Sequence, residues 1–518
     1  MTQIVTLLIL LLYIGAMVGI GLYCRRSAGT LSGFLLGGRS AGPWLTAFSY
    51  GTSYFSAVIF IGYAGMHGWN IGIGSLWIGI GNAVLGCLLA WLLLAGPTRR
   101  MTQRLDASTM PEFFSKRFQS TGLKVYAAVI IFVFLVPYAA SVYKGLGTLF
   151  SAVFPGVGEE VIMLIVAFLT AAALFLGGYK ATAITDFVQG LIMIVGIIAM
   201  VIVVITRPEV GGLTEGLRRL TEIDPQLTDL TGGSNFSALA VNIALTSFGV
   251  WGLPQMIHKY YAIRDEKSVK PATIIATGFA LIIGVGAYLV GSFGHLFVPA
   301  AADGSPALAG GYDAIIPHIL ISALSSNIFL VILLGIILLL LLSASMSTLS
   351  ALVLSSSSAI GVDLLKVIRP NIQEKHQVRT VRWLCLVFVA LSYLFATMNI
   401  SFIVNLMSFS WGIVAGCFIG PFLWGLYVRR TTRAGAWTGA LSGIVVVGGL
   451  VAIQTALYGF QAAKTLAPHF GIIAMIVSVV IVPVVSLVTR PLPEEHLAHC
   501  FGTKKTAMEK SVQPSSVR

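Results

Sequence analysis

The sequence predicts an all-α integral membrane protein with thirteen membrane spans, ten of them forming two inverted five-helix halves. Three observations carry that expectation. First, 57% of the 518 residues are hydrophobic and 10% charged, and the tracts 40–98, 314–362 and 383–428 contain no Lys, Arg, Asp or Glu. Each tract is long enough for a pair of roughly 20-residue spans, or for one span with uncharged flanks. Second, the cations alternate from loop to loop. Third, two spans at matching places in the two halves are interrupted by residues that make poor membrane helices.

Hydropathy places the spans near 3–23, 44–67, 72–95, 124–153, 157–176, 182–206, 236–257, 271–298, 326–357, 379–398, 402–427, 434–458 and 470–489. The first has no basic front and no small-residue cleavage site, so it reads as a retained helix and not a signal peptide. Of the 32 Lys and Arg, 27 fall on one side of this arrangement and 4 on the other, with Lys144 inside a span. Cytoplasmic loops are enriched in cations, so the N-terminus is expected outside and the C-terminus inside. The same distribution accounts for the net charge of +13 without nucleic acid, because the cations sit in short loops rather than on one face. Residues 1–489 are expected to form a single membrane domain with core repeats at about 44–206 and 236–427, and 490–518 a short cytoplasmic tail, too short for a signalling domain. The odd number of cysteines, five, implies no disulfide framework. Asn235 and Asn399 open glycosylation-like triplets, read as chance.

The interruptions fall at Ser49–Ser56 in span 44–67 and at Thr246–Pro254 in span 236–257, where Pro254 removes a helix bond. Counting from 44–67, these are the first and sixth core helices. Broken helices in corresponding positions point to an inverted-repeat transporter with its site at the midplane, where unwound carbonyls need a ligand, water or another helix. Around Phe329–Ser358, a Leu/Ile-rich half is followed by a half crowded with hydroxyls. Ser343, Ser347 and Ser350 stand at i, i+4 and i+7 on one face, with Thr348 beside it. Such hydroxyls either bond back to their own helix or form a shelf of oxygen ligands for a hard cation, and spacing alone leaves both open. Asp186, near the cytoplasmic start of a span, is either a helix N-terminal acid or a cation partner. Lys144, in the third core span, either snorkels to the interface or meets an acidic group of a solute. No nucleotide loop, nucleophile constellation or metal-ligand spacing supports an enzyme.

Together these motifs resemble the sodium/solute symporter family, which includes bacterial proline, pantothenate and sialic acid carriers and the sodium/glucose carriers. The resemblance spans residues 1–490. It rests on Gly37-Gly-Arg39, Phe60-Ile-Gly62, Gly177-Gly178, Thr185-Asp186 with Gln189, and Ser345-Met-Ser-Thr-Leu-Ser350. Gly420-Pro-Phe-Leu-Trp-Gly425, Arg430 and Gly435-Ala436 complete it. It implies a LeuT-like fold in a bacterial inner (plasma) membrane, taking up a small organic solute with inward sodium flow, as a monomer or weak homo-oligomer. Carried over by motif, one sodium would be held by the carbonyls of Thr52, Phe55 and Ala344 and the hydroxyls of Ser347 and Thr348. A second would use Asp186, Ser347 and Ser350, although Ala351 replaces a hydroxyl found in two-sodium carriers. Tyr54 stands where the proline carrier has an Asp, and Ile59 where sugar carriers have a Gln; Val250–Pro254 looks more like the proline branch. The candidate solute contacts are Tyr54, Ser56, Ile59, Lys144, Phe248 and Trp251, for an amino acid or carboxylate. A proton-coupled carrier of the same fold and a transporter-like sensor are the competing expectations.

Overall fold

The computed structural model describes residues 2–25, 29–324, 328–398 and 403–502; Asn399 and the tail beyond 502 lie outside the described residues. The described chain is helical, with no β-strand beyond two isolated bridges. Among the described residues, ten helices are long and apolar enough to cross a membrane, or eleven with the bent pair Gly233–Gly249 and Pro254–Ala262 counted as one span. The expected thirteen differ from this number at two continuous helical runs, each containing a glycine in the left-handed region.

The first run is Val58–Arg104. Gly72 within it has φ 63°, and a Cβ there would fall 2.0 Å from the Leu227 carbonyl oxygen, so only glycine fits. The seventh core helix, Val269–Ser292, shows what the chain does at that point. Gly51 packs on Phe279, Gly68 against Gly291, and Gly79 back at Gly284. The chain climbs the seventh helix, turns at Gly72 and descends. The second run, Glu159–Thr206, is broken by Gly178 at φ 57°, ψ −164°, between the fourth and fifth core segments. Hydropathy windows see both breaks, whereas continuity of backbone hydrogen bonding bridges them.

Burial separates core from lipid face. The most hydrophobic stretch of Ile403–Tyr427 is 89% buried and that of Leu330–Ile368 is 72% buried, against 22% for Arg433–Tyr458. The last of these presents Leu441, Val445 and Ile453 outward, the expected surface for a lipid solvent. The two interrupted helices are tied together at one end, where Arg264 N–H donates to the Ala41 carbonyl at 2.9 Å and the buried Arg99 reaches the carbonyls of Ile263 and Arg264.

The sixth core helix extends further than hydropathy expects. Its second half, Pro254–Ala262, starts with proline at N1 and is buried throughout, so Lys259 lies in the protein interior and not in the loop to which the charge pattern assigns it. Part of the tail is also folded. Glu494–Phe501 is helical, with the Arg104 guanidinium donating to the carbonyls of Cys500 and Phe501, and the His496 ring bonded to the Arg117 carbonyl at 3.0 Å.

Candidate ion and solute site

The first core helix runs Pro43–Tyr54, stops at Phe55 (φ −99°, ψ 107°) and resumes at Val58 in a wide π-type turn. Two Ser residues cap the interruption. Ser56 Oγ accepts the Val58 N–H at 3.3 Å, and Ser345 Oγ of the eighth core helix, Ile328–Ser358, accepts the Ala57 N–H at 3.1 Å. That leaves the carbonyl side of the break facing the eighth helix.

There the oxygens crowd. Thr348 Oγ1 lies 3.4 Å from Thr52 O, 3.1 Å from Ser53 O and 3.1 Å from Ala344 O. Ser347 Oγ donates to Thr52 Oγ1 at 2.8 Å and lies 3.4 Å from Ser53 Oγ. All these residues are at most 1% exposed. A hydroxyl carries one hydrogen, so Thr348 can satisfy one of the three carbonyls around it. A cluster with more lone pairs than protons, closed to water, is chemically suited to a hard cation. Thr52, Ala344, Ser347 and Thr348 of the expected set are thus brought together, and Phe55 sits at the break itself. Ser53 belongs to the same cluster and went unnoticed in the sequence, though it lies in the Ser49–Ser56 run.

The expected second set is arranged differently. Asp186, 1% exposed, accepts a short hydrogen bond from Ser49 Oγ and faces Lys259 Nζ at 3.7 Å; Lys259 also donates to Ser49 Oγ at 2.8 Å. The Ser347 hydroxyl stands beside the same carboxylate. Ser350 lines a crevice with Met17, Thr182, Thr185 and Gln189, where the first helix of the chain meets the fifth core helix.

Beyond the break the packing turns aromatic. Tyr54 OH donates to the Thr246 carbonyl of the sixth core helix at 2.6 Å, linking the two interruptions, and its ring stacks on Trp411. Trp411 meets Tyr138 edge-on at 5.7 Å. Thr246 and Ser247 both bond Asn82 Oδ1, at 2.7 and 3.2 Å, while the buried Asn82 Nδ2 has no protein partner among the described residues. Trp251 Nε1 donates to the Leu85 carbonyl at 3.1 Å and packs edge-on with the half-buried Phe248. Ser56 and Ile59 are fully buried. Asn82, Tyr138, Trp411 and Lys259 are not legible in the sequence because their partners lie 73 to 357 positions away in the chain.

Lys144 is half-buried and acts electrostatically on Asp313, in the turn Gly311–Ala314 outside the spans. Burial pushes the Asp313 carboxyl up to about 6, against the lowering effects of the Lys144 ammonium and the Ile403 N–H, with Glu159 adding to the rise.

The model of the sodium:solute symporter family matches residues 34–443. The chain belongs to that family. This symporter is 30% identical over 507 residues to the osmoregulated proline transporter OpuE of Bacillus subtilis, covering 96% of this chain and 98% of the relative. It is 31% identical over 439 residues to the sodium/proline symporter of Salmonella typhimurium, covering 84% and 85% of the two chains. Among solved structures, a Na+-coupled sialic acid symporter in a substrate-bound, outward-open state superposes with a TM-score of 0.73 at 17% identity, over 94% of this symporter and 98% of that chain. A nucleobase-cation-symport-1 family transporter superposes at 0.51 and 13% identity, over 90% and 98%. These two likenesses establish the LeuT-like fold. The symporter is a multi-pass plasma-membrane transport protein and not an enzyme.

Proposed function

We propose that this symporter takes up proline, or a closely similar small amino acid, with sodium as the co-transported ion. The crowding of three carbonyls around Thr348 Oγ1 carries the ion half of the proposal. The solute half rests on two proline-transporting relatives that align with most of the chain. The wall of Tyr54, Tyr138 and Trp411 beside the unpartnered amide of Asn82 supports it: rings for an apolar pyrrolidine, an N–H for a carboxylate.

Sodium at Thr52, Phe55, Ala344, Ser347 and Thr348 would bind the eighth core helix to the first at its break. Tyr54 and Ser56 lie within two residues of that break, so filling the ion site sets the geometry of the solute wall. Coupling of this kind needs only that the ion favour one arrangement of the two helices over the other. Rocking of the paired halves about the fixed site then gives alternating access. We assign thirteen crossings, with the N-terminus outside and the C-terminus inside, from a cation split that remains 26 to 4 once Lys259 is placed in the interior.

The test is uptake of radiolabelled proline into proteoliposomes under an imposed sodium gradient, with choline and lithium as replacements. One sodium crossing a tenfold gradient releases about 1.4 kcal/mol, and about 2.3 kcal/mol more at 100 mV. Together these sustain roughly 500-fold accumulation of a neutral solute. Uptake that is indifferent to sodium, or driven equally by a proton gradient, would refute the ion assignment. Failure of unlabelled proline to compete with any transported solute would refute the solute.

A further inference from the structure

Asp186 and Lys259 form an ion pair in the interior, with side chains 2% and 4% exposed and Nζ 3.7 Å from Oδ2. Three core helices build it. Asp186 comes from the fifth, Ser49 from the first, and Lys259 from the half-helix that follows the break of the sixth. Ser49 Oγ accepts the lysine's hydrogen bond at 2.8 Å and donates its own hydrogen bond to the carboxylate. The Tyr179 ring lies 5.5 Å from the ammonium, a further favourable surface for a cation. The Ser347 hydroxyl, which belongs to the oxygen cluster at the first break, also interacts with the Asp186 carboxylate.

A carboxylate taken out of water at this depth requires a compensating cation. Here the chain supplies one, and its charge cancels that of Asp186 within a single hydrogen-bonded unit. A sodium ion at the same carboxylate would have to displace the ammonium or bear its repulsion at close range. The oxygens around Thr348, being neutral, have no such resident cation. We propose that Lys259 is a built-in cation that closes the Asp186 position to sodium, holding this symporter to one sodium per solute. Lys259 thereby determines ion stoichiometry without touching the transported sodium. The inference rests on the sodium reading of the Thr348 cluster.

The test counts saturable 22Na binding on the purified full-length chain in detergent, with charge movement per solute in proteoliposomes as a second readout. Wild type is expected to bind one sodium, with affinity roughly five- to hundredfold weaker in Thr348→Ala. Lys259→Met, and the milder Lys259→Gln, should bind two, with the Hill coefficient for sodium rising from one towards two. Lys259→Arg should stay at one. Lys259→Met/Asp186→Asn, which removes the pair together, should return to one. A wild-type count of two overturns the inference without any variant. One site in folded Lys259→Met or Lys259→Gln overturns it as well and leaves the sodium cluster standing. No saturable sodium site in wild type overturns the cluster reading and this inference with it.

Discussion

The two interrupted helices use the same backbone device and end with different chemistry. At the first break, the freed groups meet hydroxyls. Ser345 takes the Ala57 N–H, and Thr348 enters a nest of carbonyls that it cannot saturate. At the second break, the backbone closes on itself, with Trp251 N–H bonded to Phe248 O and Gly252 N–H to Gly249 O, each at 3.0 Å. Its neighbour, Ile403–Tyr427, comes close enough that a Cβ on Gly252 would lie 2.8 Å from Ala415 Cα, and one on Gly249 would lie 2.7 Å from the Trp411 ring. A break makes an ion site where the facing helix brings surplus oxygen. It makes a packed wall where the facing helix brings rings and backbone.

The sharpest way to break that comparison is to remove oxygen from the first site alone. Thr348→Ala or Ser347→Ala takes one ligand from a small shell, an effect of about 1–3 kcal/mol, or roughly a five- to hundredfold loss of sodium affinity. Sodium titration of proline uptake should show this shift, with the rate recovered at high sodium. Wild-type sodium dependence in both variants would move the site elsewhere.

The second break should respond instead to volume. Gly252→Ala places a methyl against the Ala415 backbone, which cannot retreat as a side chain would. Overpacking of this kind costs about 1–3 kcal/mol. The expected outcome is a lower Tm in detergent with the sodium affinity of the surviving fraction unchanged. A parallel loss of sodium affinity would mean that the two breaks are not separable.

A smaller effect is expected from Trp411→Leu, which removes the ring stacked on Tyr54 and edge-on to Tyr138. Aromatic pairs contribute about 0.5–1.5 kcal/mol beyond area burial, so proline affinity should weaken roughly two- to twelvefold. Sodium binding measured without solute should not change.

A further effect lies outside both breaks, at the turn Gly311–Ala314. Burial raises the Asp313 carboxyl to about 6 in the fold, above the roughly 3.9 of an unfolded aspartate. Between those values the folded protein keeps a proton that the unfolded chain has released. This contribution to stability is therefore full below the unfolded value and is lost as pH rises through about 6. Tm measured from about pH 5 to about 7.5 should fall with a component that Asp313→Asn abolishes. Lys144→Gln should move that component to higher pH, since the ammonium lowers the Asp313 value. An unaltered pH profile in both variants would remove Asp313 as the titrating group.

Much of this was legible in the chain because membrane spans depend on local composition. Uncharged tracts must be helical and buried in lipid or protein, since unpaired backbone groups are too costly there. The i, i+4, i+7 spacing of Ser343, Ser347 and Ser350 places them on one face whatever surrounds the helix. The breaks at Ser49–Ser56 and Thr246–Pro254 likewise announce themselves by residues that weaken a helix.

What faces those hydroxyls was decided by tertiary structure. Thr52 and Thr348 are 296 positions apart, and no periodicity connects them. Lys259 shows the limit most clearly. In the sequence it begins a stretch with Arg264, Asp265, Glu266 and Lys267, and hydropathy averaged over about 19 residues merges it with that loop. The fold instead carries it inward on a nine-residue half-helix. A lysine's charge is stable in water or beside a carboxylate, and the sequence alone does not say which one it meets. Only the packing of the sixth core helix against the first and fifth places the Lys259 ammonium beside Asp186.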